Sequence, residues 1–186
     1  MKAARSFITR TQLGELCTLL FQLMLGVRGG EISFKRAVGG IKSLLGSGLA
    51  QQSVIDCDAK PFVPDGWRVR RHFKMGPLKW HPNNVGLFLM PDQVTNGFAE
   101  GGYLRTRLRK EPVLNACVLD WLLARPELIP DEWKGNSVFF WGTEYIRDGG
   151  IVCIRCLRWS RKGWDWGYNP VKSLFLNKDV AVSLAA

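Results

Sequence analysis

The chain has 186 residues, of which 46% are hydrophobic and 23% charged, a composition that excludes a disordered polymer and can build a core without metals or disulfides. Its 26 Lys and Arg outnumber 16 Asp and Glu, for a net charge of +10. By segment, the basic and acidic residues number 7 and 3 over residues 1–56, 10 and 5 over 57–111, and 9 and 8 over 112–186. A surplus concentrated in the first two thirds favours polyanions such as nucleic acid or anionic lipid.

Thr9 and Gln12 have the spacing of a capping box, and Leu13, Leu16, Leu20, Leu23 and Met24 then recur at helical intervals. The spacing predicts a helix over 10–27, stopped by Gly29 and Gly30. A second helix fits Phe34 to Leu45, with Phe34, Val38, Ile41 and Leu45 on one face, so residues 1–50 read as a helical hairpin. Leu19, Phe21 and Leu25 lie off the main stripe, which leaves the first helix apolar on most sides and in need of cover by the rest of the chain, a partner or a second copy. The apolar run Leu16–Val27 has twelve residues, is interrupted by Gln22 and is too short to span a bilayer. Basic residues precede it, but no small-x-small cleavage site follows closely, which disfavours a signal peptide.

Residues 51–66 carry a Pro-Asp-Gly turn and read as a linker or an ordered crossing loop, so 51–186 forms the second region, or the whole chain one domain. Trp67 to Phe73 alternates at strand period: Trp67, Val69 and Phe73 face the core, and Arg68, Arg70 and His72 face outward. Val85–Met90 is a further short strand, and Tyr103–Lys110 fits a helix through Leu104 and Leu108, although its arginines also fit a strand. Asn115 can cap a helix through Ala124, with Leu114, Val118, Trp121 and Leu122 as its buried stripe.

Val138–Arg147, Ile151–Ser160 and Trp164–Asn169 are rich in aromatic and β-branched residues and are separated by Gly-containing turns. They predict a Trp-rich antiparallel meander at the C-terminal end of an α+β fold, after the helical hairpin and a small mixed region. If both turns have two residues, Phe140, Ile146, Cys153, Leu157, Trp159, Trp166 and Tyr168 share one face, with Glu144 near Arg155. Phe139, Trp141, Tyr145, Val152, Ile154 and Arg158 share the other. Both faces are then apolar, so the sheet is either sandwiched in the core or left with one face for a partner.

Three stretches, QQSVIDCDAKPFVPDGW (51–67), PVLNACVLDWLLARPELIPDEWKG (112–135) and VFFWGTEYIRDGGIVCIRCLRW (138–159), resemble a family of short proteins from ultrasmall, reduced-genome bacteria of the candidate phyla, often present in several copies. The resemblance spans most of 51–169 and departs from the family pattern after Trp164. It implies the same α-then-β layout and a bacterial cytoplasm, and carries no activity or functional residue with it.

Candidate chemistry is sparse. Cys17, Cys57, Cys117, Cys153 and Cys156 are odd in number and scattered, as expected of reduced thiols in a cytoplasm. Cys153-x-x-Cys156 lacks an obvious second ligand pair, and residues three apart on a strand point to opposite faces, so no metal or other cofactor is expected. The carboxylates of Asp56, Asp58 and Asp65 read as caps and turn formers, and His81 as a turn residue. No phosphate loop is present: Gly39-Gly40 to Gly46 lacks the following Lys. Arginines interleaved with aromatics remain, and such surfaces neutralise phosphates and stack bases. The candidate interface for RNA or DNA is Arg68, Arg70, Arg71, His72, Arg105, Arg109, Arg155, Arg158, Arg161, Lys162 and Trp164. The expectation is thus a basic, weakly sequence-selective, non-catalytic nucleic-acid binder. Its alternative is a protein-interaction module or structural subunit that uses Phe139, Trp141 and Tyr145 on an exposed sheet face.

Overall fold

A computed structural model describes residues 10–30, 33, 37 and 54–185. The chain divides into two compact units, Met1–Gln51 and Gln52–Ala186. In the first, α1 spans Arg10–Arg28 with a basic residue, Arg28, in its last turn, where it complements the partial negative charge of the helix end. Gly29 N–H donates to the Leu25 carbonyl at 2.8 Å, and Gly30, at φ 77°, takes the left-handed turn that releases the chain. Thr9 and the second helix expected over 34–45 lie outside the described residues, apart from Ala37, which is helical. Among the described residues no helix is long and apolar enough to cross a membrane.

The second unit is built on β8 (Ile151–Ser160), the longest strand. Along one edge of β8 run β6 (Ser137–Phe139) and β7 (Thr143–Arg147) in tandem; along the other runs β9 (Gly163–Pro170), paired from Cys153↔Pro170 to Ser160↔Gly163. Beyond β7 lies β2 (Arg68–His72), antiparallel; beyond β6 lies β11 (Asp179–Leu184), parallel, followed by β4 (Val85–Phe88), antiparallel. Two small antiparallel ribbons complete the unit, β1 (Val54–Asp56) with β3 (Pro77–Lys79) and β5 (Phe98–Glu100) with β10 (Leu174–Leu176). The architecture is α+β around a mixed, largely antiparallel sheet. Residues 54–56, expected in a linker or crossing loop, form a strand whose Ile55 is buried.

Three short helices pack around the sheet: α2 (Pro91–Thr95), α3 (Gly101–Leu108) and α4 (Ala116–Leu123). One face of the sheet (Val138, Phe140, Leu157, Val180 and Val182) meets Val118, Leu119 and Leu122 of α4. The other (Phe139, Trp141, Ile154, Cys156 and Ala181) meets Leu104 and Leu108 of α3 and Phe175 of β10. An apolar sheet face is stable in water only when covered, and both are covered from within this unit.

Gly142 marks where β6 gives way to β7. Its N–H donates to the Leu114 carbonyl at 3.0 Å and its carbonyl accepts from Phe73 N–H at 2.7 Å. A Cβ there would stand 2.9 Å from both the Asn115 Cα and the Leu114 carbonyl, so only glycine fits. The β8–β9 turn has two residues, Arg161 and Lys162, but the β7–β8 loop has three, Asp148–Gly150. The longer loop moves β7 by one residue against the expected register: Tyr145, not Ile146, pairs with Cys153. Glu144 consequently faces away from Arg155, and Tyr145 faces toward it.

Candidate nucleic-acid interface

Alternation along β2 breaks at one residue. Val69 pairs with Tyr145 and Arg71 with Glu144, so two steps on β2 match one on β7, and Arg70 is the extra residue of a bulge. Instead of a ladder of Arg68, Arg70 and His72, the bulge turns Arg70 and Arg71 both to solvent and His72 inward. Phe73, expected in the core, is 46% exposed.

Across from the bulge stands α3. Leu104 and Leu108 bury its apolar side, and Arg105 and Arg109, one turn apart, share another face that reaches β7. There Glu144, with its side chain only 4% exposed, becomes the hub of the site. Arg105 grips it as a fork, Nε to Oε1 at 2.9 Å and Nη2 to Oε2 at 2.5 Å. Arg109 Nη2 donates to Oε1 at 3.0 Å, and Arg70 Nη1 lies 3.7 Å from Oε2. Burial alone would raise the Glu144 pKa, but the hydrogen bonds and charges of Arg105 and Arg109 outweigh it and hold the carboxyl below its ordinary value.

One carboxylate satisfies one guanidinium. Three converge on Glu144, and those of Arg70 and Arg109 keep side-chain exposures of 40% and 45%. Arg71 joins Arg105 and Arg109 in lining a narrow open cleft, whose other walls include Phe73, Trp141 and Glu111. Three arginines, Arg71, Arg105 and Arg109, against Glu144 and Glu111 leave the cleft net positive, with Arg70 close by on Glu144 and an exposed aromatic ring, Phe73, in its wall. Sequence reasoning named all four arginines but missed Glu144. The available signal was a lone carboxylate inside the aromatic run Phe139–Tyr145, where burial demands a counter-charge.

The remaining expected contacts scatter. Arg68 is exposed and lines a separate groove with Trp67, Arg147 and Asp148. Arg158, Arg161 and Lys162 are exposed at the β8–β9 end, where half-buried Trp164 packs edge-on against Trp159 at 5.3 Å and Lys134 Nζ lies 4.3 Å above the Trp159 ring.

Two residues leave the interface altogether. The His72 ring nitrogens bond Thr143 Oγ1 at 2.9 Å and the Cys57 carbonyl at 3.0 Å. Because the Cys57 carbonyl can only accept, Nε2 donates to it, which leaves Nδ1 of the neutral ring to accept from the Thr143 hydroxyl, whose oxygen accepts from Ala116 N–H. Arg155 is 1% exposed: Nη1 bonds Asp120 at 2.9 Å and the Phe62 carbonyl at 3.2 Å, inside a cage of Phe62, Tyr145 and Trp166. Its alternation with Cys153 and Leu157 on β8 places it beneath the rings of β9, out of reach of any phosphate. The alternative partner surface is also internal, since Phe139, Trp141 and Tyr145 are 0%, 7% and 0% exposed.

Cys117, near the start of α4, lies 3.8 Å from His72 Nε2 and so suggests a thiol–imidazole pair. The hydrogen bonds argue otherwise, because the Nε2 hydrogen is committed to Cys57 and the Cys117 thiol donates to the Ala59 carbonyl at 3.3 Å. Burial, with smaller contributions from Cys57 and nearby aspartates, pushes the Cys117 thiol up to about 12, so no thiolate forms near neutrality. Cys153 and Cys156 are buried on opposite faces of β8. The carboxylates of the 56–58 loop hold turns: Asp56 accepts from Asp58 N–H and Asp58 from Gly76 N–H, each at 2.9 Å. Among the described residues no group of three or more His, Cys, Asp and Glu side chains is arranged to hold a metal ion.

Fold and site together define an α+β protein with an arginine-rich cleft at a bulged sheet edge. Comparison with protein-family models, with curated proteins and with solved structures found no match to the chain.

Proposed function

We propose that the protein binds single-stranded nucleic acid without catalysis and with weak sequence selectivity, in a bacterial cytoplasm, and that Arg70, Arg71 and Arg109 are its principal phosphate contacts. The observation that carries this reading is the convergence of three arginines on one buried carboxylate, with a fourth beside them. Glu144 consumes Arg105, whose fork it fills, and acts as a brace that orders the other two guanidiniums without cancelling their charge. Ordered arginines lose less side-chain entropy on meeting a phosphate than free ones. Exposed Phe73 supplies a ring on which a base can stack, and stacking tolerates any base.

Arg105 has a positioning role in this scheme and makes no phosphate contact. The test is an anisotropy titration of labelled RNA and DNA oligonucleotides at several salt concentrations. Three phosphate contacts give a log–log slope of about −2 for a single strand. Affinity that is absent at low salt, or indifferent to salt, contradicts the reading.

A further inference from the structure

We propose that the N-terminal unit docks α1 in the plane of an anionic lipid surface. This inference rests on residues remote in sequence from the arginine cleft and does not depend on nucleic-acid binding. Leu19, Leu20, Phe21, Met24 and Leu25 are 63%, 43%, 61%, 67% and 50% exposed. At about 100° per residue these five sweep roughly two thirds of the helix circumference, and Thr18, Gln22 and Gly26 fill the remaining stripe. Water does not favour so broad an apolar surface, and a two-stranded helical seam covers a much narrower one.

Charge selects the occupant. Residues 1–51 hold seven Lys and Arg against two acids, Glu15 and Glu31, and two of the basic residues, Arg10 and Arg28, bound α1 itself. A second copy would bring the same positive surplus and be repelled. An anionic bilayer offers an apolar interior and a negative surface at one boundary, matching both features of this segment. Since α1 is not apolar enough to cross the membrane, its place is along the interface, with the stripe of Thr18, Gln22 and Gly26 toward water.

Flotation of the full chain with vesicles tests the proposal, using phosphatidylcholine alone and phosphatidylcholine with about 30% phosphatidylglycerol. The chain is expected to float with the anionic vesicles and not with the neutral ones. A Leu20→Gln/Phe21→Gln/Met24→Gln variant keeps the charge and, glutamine being a good helix former, keeps the helix. It should lose at least about tenfold in partitioning, with unchanged far-UV circular dichroism. Arg70→Ala/Arg71→Ala, which removes charge from the other unit, should float as the wild type does. Failure to float, equal flotation by the glutamine variant, or a lipid-free dimer that the glutamine variant dissociates overturns the proposal; the last result would show that a second copy covers the face.

Discussion

Glu144 joins the fold to the proposed phosphate-binding cleft at the level of single residues, because it is buried, charged and surrounded by guanidiniums. Its folded-state pKa lies below its unfolded value, so its contribution to stability is present above about 4.3 and is lost as pH falls through the lower folded value. Glu144→Gln should therefore lower the urea midpoint at neutral pH and flatten its decline over the acid range, a comparison made by unfolding at a series of pH values. Arg155 poses the opposite case, a cation with no route to solvent. Asp120→Ala strands that charge and should cost about 3–5 kcal/mol in a denaturant titration. Arg155→Leu with Asp120→Ala should cost clearly less than the sum of the two single changes, because the pair is removed together.

Among elements, α4 shows how one side chain can fix three segments. The side-chain oxygen of Asn115 accepts the Cys117 N–H at 3.1 Å, which caps the helix, and its amide donates to the carbonyls of Cys57 at 2.7 Å and Phe73 at 2.9 Å. Sequence spacing revealed the cap; the two carbonyls come from segments distant in the chain and left no local trace. Asn115→Ala should thus exceed the ~1 kcal/mol of an isolated cap, since it also leaves two carbonyls short of a partner, and thermal unfolding would measure the difference.

Helical periodicity placed α1, α3 and α4, because a buried stripe repeats within one element whatever surrounds it. The sheet was less legible. Alternation identified strand-forming segments, but the bulge at Arg70 and the three-residue loop Asp148–Gly150 each shift register by one residue, and neither departs from ordinary strand or turn composition. That is why His72 was expected at the surface and Glu144 beside Arg155; Arg155 itself keeps its regular alternation on β8 and is buried because Phe62, Tyr145 and Trp166 cover that side. For His72 and Glu144 the residue type was read from the sequence, while the side it faced was set by an irregularity that only tertiary contacts create.

For the whole molecule, net charge suggests the class of partner and the fold suggests the place in the proposed reading. A surplus of +10 says that polyanions are attracted, but not where. The sheet edge and α3 gather arginines separated by more than thirty residues into one cleft, and an internal glutamate holds them. The account stands on those arginines contacting phosphate. The most direct test is to measure oligonucleotide affinity against salt for the wild type and Arg70→Ala/Arg71→Ala, with Arg161→Ala/Lys162→Ala as the control at the far turn. The account predicts that the log–log slope of the first variant flattens by about 1.4 for a single strand while the control stays within about 0.3 of wild type. An unchanged slope in the first variant, or equal flattening in both, would contradict it.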